Sequence, residues 1–426
     1  MNILVCNDGD AVPEGIRREL TAKSTIMVST KRNKDGVDIP YFDFVGIVIG
    51  EDDDMLVVLP KHCRHSSYAN SMRDVKLLFN VMMKLNEDPA AGFGPDERNT
   101  LESDYPFGAF HRIYDYYREH GLFHGKARSF SSFPPGKINW KKTISQSQYF
   151  IFGKEVFPFP IWYSHTLQED TFLTACMANA IDSTIERFSA LLEGFQMTGM
   201  EDSGKYISGD EKWIVDRLRS IADRTFRDST IKLIEELIDF YTHVNSGGKS
   251  LVLRYSSFNR CWELLVDFYL KKHFSGMDEK GHLILSPTLS SSDTVKVEYQ
   301  KIFKGFNGTN KNQELRIDHY AYDLKNDVQY ILDEKYYTVN KDFNYKQFAY
   351  TILLHDHIIK DTGKSAEKTY SAMIMPAEKF YHKMHYMPVE DYFLHILSKT
   401  SEIGDFNISE EYFDVRTLME EYASEY

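Results

Sequence analysis

The chain has 426 residues, enough for two or three domains and more than one buried core. Its 42% hydrophobic and 27% charged residues are ordinary for a globular protein, and 14% aromatics argue against disorder. A net charge of −13 excludes nucleic-acid binding through overall charge, although a local basic groove can coexist with an acidic remainder. Cys6, Cys63, Cys176 and Cys261 are widely spaced and form no CxxC pair, which disfavours a zinc site or disulfide framework and points to reduced thiols in a cytoplasm. The start, MNILVCNDGD, lacks the basic-then-apolar order of a signal peptide. The longest apolar runs, FVGIVIG and MLVVLP, are too short to span a bilayer.

Residues 1–65 read as β-rich. FVGIVIG (44–50) and MLVVLP (55–60) are strands joined by the acidic turn EDDD (51–54). KHCRH (61–65) is too cramped for a metal site and reads as a surface turn. Val75, Leu78, Phe79, Met82 and Met83 have helical spacing, which predicts a helix from Asn70 to Asn86, with a loop over 87–105.

Residues 121–149 contain Lys126, Arg128, Lys137, Lys141 and Lys142, no acid, and interleaved Phe123, Phe130, Phe133 and Trp140. Cations that hold phosphate beside rings that stack on bases suit a DNA or partner contact through Lys126, Arg128, Lys137, Trp140, Lys141 and Lys142. The other reading of this segment is a solvated loop over a core. Residues 165–245 show 3.6-residue spacing in TLQEDTFLTACMANAIDSTIERFSALLEGF, KWIVDRLRSIADRTF and STIKLIEELIDFYTHV. NSGGKS (245–250) is a break. The expected division is therefore a β-rich domain over 1–165, a helical region over 166–245, and a C-terminal domain over 246–426.

In that last domain a helix carries Phe258, Trp262, Leu265, Val266 and Tyr269 on one face. Ser/Asn/Gly-rich loops are expected at 286–293 and 305–312, followed by a hairpin in LRIDHYAYDLKNDVQYILDEKYY (315–337). A helix around 344–358, a strand at SAMIMP (371–376), a helix near 390–399 and a partly ordered acidic end (401–426) complete the chain. His355 and His357 point about 100° apart per step of a helix and are read as structural. Neither an internal repeat nor a GxxxxGK(S/T) phosphate loop is present in the sequence.

The chemistry lies in the hairpin. Alternation puts Asp333 and Lys335 on one face of their strand and Leu332 and Glu334 on the other. Antiparallel pairing can bring Asp318 close to Asp333. Two carboxylates can hold a hard divalent cation that polarises a phosphoryl oxygen, and a neighbouring Lys can orient water or offset charge on phosphorus. Charges that interrupt the apolar run YIL are expected where a site is built. Glu263 borders the buried stripe of the preceding helix, where it is either a helix-border residue or a carboxylate reaching a metal through water.

IDHYAYDLKNDVQYILDEKYY resembles the core of PD-(D/E)xK nucleases, and ILDEKYY resembles the active-site strand of McrC-type and LlaJI-type restriction subunits. FVGIVIGEDDDMLVVLPK (44–61), GKINWKKTI (136–144), FNRCWELL (258–265), YKQFAY (345–350) and AMIMP (372–376) are similar to stretches of the same group, so the resemblance covers most of the chain. It implies an α/β protein: a restriction-endonuclease-like C-terminal core after an N-terminal region that is β-rich and then helical. It implies catalytic roles for Asp318, Asp333, Lys335 and Glu263, with Gln347 and Tyr350 in support. The metal set would be Asp318, Asp333, Glu334 and Glu263 around Mg²⁺, with Mn²⁺ as a substitute. It implies double-stranded DNA as substrate, a separate McrB-like AAA+ GTPase as partner, and two copies meeting on DNA. The sequence departs from the group where Ile317 stands in place of a frequent proline, and where Gln347 and Tyr350 are three apart in place of four. A self-contained type II restriction enzyme and a non-catalytic assembly factor are the alternative readings.

Overall fold

The computed structural model describes residues 3–14, 16, 28–32, 36–50, 54–63, 71–87, 101–134, 136–201, 207, 209–244, 251–286, 295–306, 308–337, 343–355, 357, 359, 363–387 and 407–424. The chain is α/β, β-rich at the N-terminal end and mixed β/α at the C-terminal end. Contacts divide it into two compact units, residues 1–104 with 247–426, and residues 105–246. This differs from the division at 165 and 245 expected from local pattern, and the difference has a specific cause. Strand Leu251–Tyr255 pairs antiparallel with Val45–Ile49 on one side and Leu101–Ser103 on the other, which joins the two ends of the chain in one sheet.

Among the described residues that sheet runs in the order Ile3–Asn7, Met55–Leu59, Val45–Ile49, Leu251–Tyr255, Leu101–Ser103. The expected strands at 44–50 and 55–60 are its centre and pair antiparallel, whereas Ile3–Asn7 runs parallel to Met55–Leu59. The EDDD turn lies largely outside the described residues. Every residue of Met55–Leu59 is buried, as the unbroken apolar run MLVVL requires. The helix expected from 70 to 86 is Ser71–Glu87, and Val75, Leu78, Phe79 and Met82 are fully buried. Its Asp74, 1% exposed, receives the Arg416 guanidinium at 2.6 Å, tying it to the last helix, Val415–Ser424.

The second sheet of this unit runs in the order Val297–Lys304, Glu314–Asp323, Val328–Glu334, Lys368–Ala377, Ile408–Asp414, Tyr381–Tyr386. Its first three strands are antiparallel neighbours; Val328–Glu334, Lys368–Ala377 and Ile408–Asp414 are parallel to one another. The parallel step requires a crossover, and helix Tyr345–His355 supplies it. The hairpin of 315–337 and the strand at 371–376 are thus found as expected, and the acidic end is ordered as a strand and a helix over 408–424. The helix expected near 390–399 and the break at 245–250 lie outside the described residues.

In the other unit, helices Phe107–His120, Phe172–Arg187 and Asp228–His243 pack around Tyr105, Phe107, Phe188 and Phe240, whose rings lie 4.7–6.0 Å apart, and Glu211–Ala222 packs on Asp228–His243. The helical pattern of 165–195 is only partly realised. Tyr163–Glu169 is a strand, paired residue for residue with Gly125–Ser131, and the helix ends at Arg187 although Leu191 and Leu192 remain buried. The helix starts instead at a capping box built by Thr171 and Thr174.

Gly46 marks the closest approach in the first sheet. A Cβ there would lie 2.3 Å from the Leu253 carbonyl oxygen and 2.7 Å from the Arg254 Cα, both backbone atoms that cannot move aside. Gly46→Ala should therefore lower stability by about 1–3 kcal/mol, read as a shift of the urea midpoint. Gly50→Ala, whose nearest atom lies 3.6 Å away, should leave the midpoint nearly unchanged.

Candidate functional site

The hairpin register pairs His319 with Leu332 and Tyr320 with Ile331. One residue further along, Asp318 falls opposite Asp333. Directly opposed residues of an antiparallel pair share a face, so Asp318, Asp333 and Lys335 stand together on one side of the sheet. Asp333 is fully buried, and its carboxylate is paired with Lys335 Nζ and lies 3.4 Å from Lys346 Nζ. Lys346 enters from helix Tyr345–His355, which covers this face. Sequence reasoning passed over Lys346; its signal was a cation in the first turn of the helix following the DxK strand.

Burial, then the charges of Glu334 and Asp333, hold the Asp318 carboxyl well above the usual carboxylate range. Burial acts the same way on Asp333, but Lys335, a hydrogen bond from Asp318 and Lys346 outweigh it and keep that carboxyl low. Two acids this close retain a proton between them unless a cation takes its place. Hard carboxylate oxygens beside a lysine are donors that suit Mg²⁺ or Mn²⁺, so the residues present fit such an ion.

The other expected site residues are placed apart from this group. Glu334 points to the opposite face, where Oε1 bonds Nδ1 of the fully buried His319. His319 Nε2 lies 3.3 Å from Asp267, whose second oxygen takes Lys271 at 2.7 Å. Burial alone would lower the His319 pKa, yet Glu334 and Asp267 raise it to about 9, so the ring is a cation between two acids. Asp267 belongs to helix Asn259–His273, which covers this second face. Glu263 sits on the same helix and bonds Arg260 and the Tyr299 hydroxyl, each at 3.0 Å. Its helix therefore faces away from Asp318 and Asp333. The buried His319 cluster was not anticipated, although an acid in the apolar run WELLVDFY and a His in the alternating IDHYAY were visible signs of it.

Gln347 is fully buried and its side-chain amide donates to Ile331 O at 2.9 Å, Ser371 Oγ at 2.7 Å and Ala372 O at 3.2 Å. It anchors the helix across the two central strands. Tyr350 packs with Phe303, Tyr320, Ile331 and Leu354, and the Lys346 ammonium lies 5.1 Å from its ring centre. Both residues support the site from beneath. Tyr336, next to Lys335, is buried against Phe258 and Trp262, and its hydroxyl accepts the Lys61 N–H at 2.7 Å, which locks the end of the site strand to the first sheet.

In the other unit, Lys126 and Arg128 are exposed on strand Gly125–Ser131, Lys137 on Lys137–Ile138, and Trp140 and Lys141 on the short helix Trp140–Gln146. Lys142 is less exposed, its ammonium 4.2 Å from the Trp162 ring and 4.5 Å from the Phe130 ring. Next to them lies a hairpin, Gln148–Phe152 with Glu155–Phe159, in which Tyr149, Phe150, Ile151, Phe152, Val156 and Phe157 are all exposed. Gly153, at φ +63°, opens its two-residue turn. A Gly-Lys pair between two aromatic runs was the signal for this hairpin, and it was missed.

KHCRH gives no metal cluster among the described residues; Cys63 is buried, and His65 lies outside them. The four cysteines are free and buried. No helix of the described residues is long and apolar enough to cross a membrane.

His319→Ala, which strands Glu334 in the core, should cost about 3–5 kcal/mol in chemical denaturation. The double change His319→Leu with Glu334→Leu should recover most of that loss, because Asp267 keeps Lys271.

No curated protein sequence matches the chain. A half-complex from a tetradecameric assembly of Thermococcus gammatolerans McrB AAA+ hexamers with bound McrC aligns over 99% of this chain and 98% of that one, at 8% identity and a TM-score of 0.42. The Thermococcus gammatolerans McrBC complex aligns over 62% and 88%, at 10% identity and a TM-score of 0.27. The LlaJI restriction endonuclease family matches residues 44–351, nearly three-quarters of the sequence and all of the hairpin, and the chain belongs to that family.

Proposed function

We propose that the chain is a metal-dependent DNA endonuclease subunit of a restriction system, with a PD-(D/E)xK site formed by Asp318, Asp333 and Lys335. The observation that carries this reading is the His319–Leu332 register, which, continued by one residue, sets Asp318 opposite Asp333, with Lys335 paired to Asp333 on the same face. Asp318 and Asp333 are the residues that hold Mg²⁺, or Mn²⁺ in its place. Such an ion, when bound, polarises a phosphoryl oxygen and lowers the pKa of a coordinated water. Lys335 is held by Asp333 where it can orient the attacking water or offset charge on phosphorus. Lys346 adds a second cation that draws the phosphate in. The distance of Gln347 and Tyr350 from solvent supports a positioning role for both. Glu334 and Glu263, directed to the other face, are left out of the metal set.

The substrate is double-stranded DNA, and cutting both strands calls for two copies. A separate AAA+ GTPase subunit completes the system. That partner is inferred from the resemblance to McrC-type subunits, together with a sequence that holds no GxxxxGK(S/T) loop. The exposed aromatic hairpin around Gly153 is the surface we assign to it, since a large apolar surface left open on a folded unit marks a protein contact. A second reading, a self-contained enzyme that reads DNA through its own surface, is favoured by the exposed Lys126, Arg128, Lys137 and Lys141 beside Trp140.

Plasmid cleavage with Mg²⁺ separates these readings. Asp333→Ala and Lys335→Ala should each lower the rate at least about a hundredfold; normal cleavage by Asp333→Ala refutes the site. Cleavage that needs an added AAA+ subunit and GTP, and that weakens in Ile151→Asp, fits the two-subunit system. Cleavage by the chain alone, indifferent to Ile151→Asp, selects the self-contained enzyme.

A further inference from the structure

A second group of side chains lies two strands away from Asp333 and on the opposite face of the sheet. It consists of His282, His382 and Glu411, whose donor atoms all lie within 4.8 Å of one another. Three separate pieces of chain bring them together. His382 and Glu411 are directly opposed on the antiparallel strands Tyr381–Tyr386 and Ile408–Asp414, so they share a face. The register continues from Glu411 through Ile374 to Glu334, which sets this face as that of the His319 cluster and not that of Asp318 and Asp333. At a strand spacing of about 4.8 Å, the group is about 10 Å from the proposed nuclease strand, with the sheet between.

His282 arrives from the turn that joins Phe274–Met277 to Leu283–Leu285. That turn is built around Asp278, whose Oδ1 accepts the N–H groups of Lys280 and His282 at 2.9 Å each. The Asp278 N–H in turn donates to the His282 carbonyl at 2.9 Å. The backbone of His282 is thus held in position before any ligand arrives. Its Nδ1 lies 3.3 Å from Glu411 Oε1. Two donors on a tetrahedral zinc ion, with bonds of about 2.0–2.2 Å, stand about 3.3–3.5 Å apart, so this pair already has the required spacing.

Glu411 is buried, and among the described residues its ion-pair partner is an imidazole, with no lysine or arginine in that role. Its neighbour Glu410, on the other face, is by contrast matched by Lys383 at 2.7 Å and His385 at 2.8 Å. A buried carboxylate without a fixed cation is costly, and a bound dication removes that cost. The His382 ring stacks on that of His282 with centres 3.8 Å apart, and the side chain is exposed, so it has room to turn its nitrogen inward.

We propose that His282, His382 and Glu411 form a zinc site that ties the Asp278 turn to the last two strands of the sheet. Two imidazole nitrogens and one carboxylate oxygen are a zinc set; Mg²⁺ prefers oxygen throughout, so the two sites differ in the metal they select. The exposed side of His382 leaves the fourth position to water.

Cobalt titration of the full chain tests this, with visible ligand-field absorption as the readout and Zn²⁺ as the competitor. Wild type and Asp333→Ala should each take up one Co²⁺ in a tetrahedral-type spectrum that Zn²⁺ bleaches. His382→Ala, at an exposed position that leaves the fold intact, should bind at least roughly a hundredfold more weakly. It should also lose the rise in melting temperature that Zn²⁺ gives the wild type. His282→Ala should behave as His382→Ala does. The proposal is overturned by a wild type with no such spectrum, or by a His382→Ala protein that keeps it. A spectrum lost in Asp333→Ala but kept in His382→Ala overturns it too, by assigning the metal to the other face.

Discussion

Consecutive acids on a strand that is buried along its whole length impose the main constraint on this molecule. Val328–Glu334 is covered on both faces, and Asp333 and Glu334 must point to opposite sides. Each face therefore receives a carboxylate that has to be compensated locally, since a lone buried charge costs several kcal/mol. On one side the compensation is cationic and reachable: Lys335 from the same strand and Lys346 from the covering helix. On the other it is a closed network in which His319 bridges Glu334 and Asp267. The helices that flank the sheet supply Lys346 on one face and Asp267 on the other, and the two faces differ in chemistry for that reason.

The same strand is anchored beyond its end. Tyr336 follows Lys335 and inserts between Phe258, Trp262 and the backbone of Lys61. The first sheet, in which Leu251–Tyr255 is an interior strand, thereby holds the position from which Lys335 projects. Gln347 performs the equivalent task from the opposite direction, with three hydrogen bonds to the two central strands. In the proposed nuclease neither residue needs to touch the substrate, because a lysine displaced by about 1 Å loses much of its electrostatic effect.

The unit of residues 105–246 follows a different logic. Its helices bury an aromatic core, while the strands between 125 and 169 carry cations and rings outward. A two-stranded hairpin is at best marginally stable by itself, and one with seven large apolar side chains in solvent gains nothing from its own burial. Its composition is what the contact proposed for it, with a partner subunit, requires.

Much of the core was legible from local pattern. The strands at 44–50 and 55–60, the helix from 71, the hairpin of 315–337 and the strand at 371–376 all follow from periodicity, because alternation and 3.6-residue spacing are properties of adjacent residues. The opposition of Asp318 and Asp333 was legible for the same reason: a hairpin's register is set by its short turn. What local pattern could not contain was the pairing of Leu251–Tyr255 with strands Val45–Ile49 and Leu101–Ser103, far earlier in the chain, since β partners are chosen by tertiary packing. Nor could it tell that helix Asn259–His273 covers the face away from Asp333, which takes Glu263 out of reach, or that His282, His382 and Glu411 meet. Sequence by itself determined the chemistry of the Asp333 strand and which side chains share its face. Only the tertiary structure decided which helix each face would meet, because that depends on the order of strands in the sheet and not on any spacing along the chain.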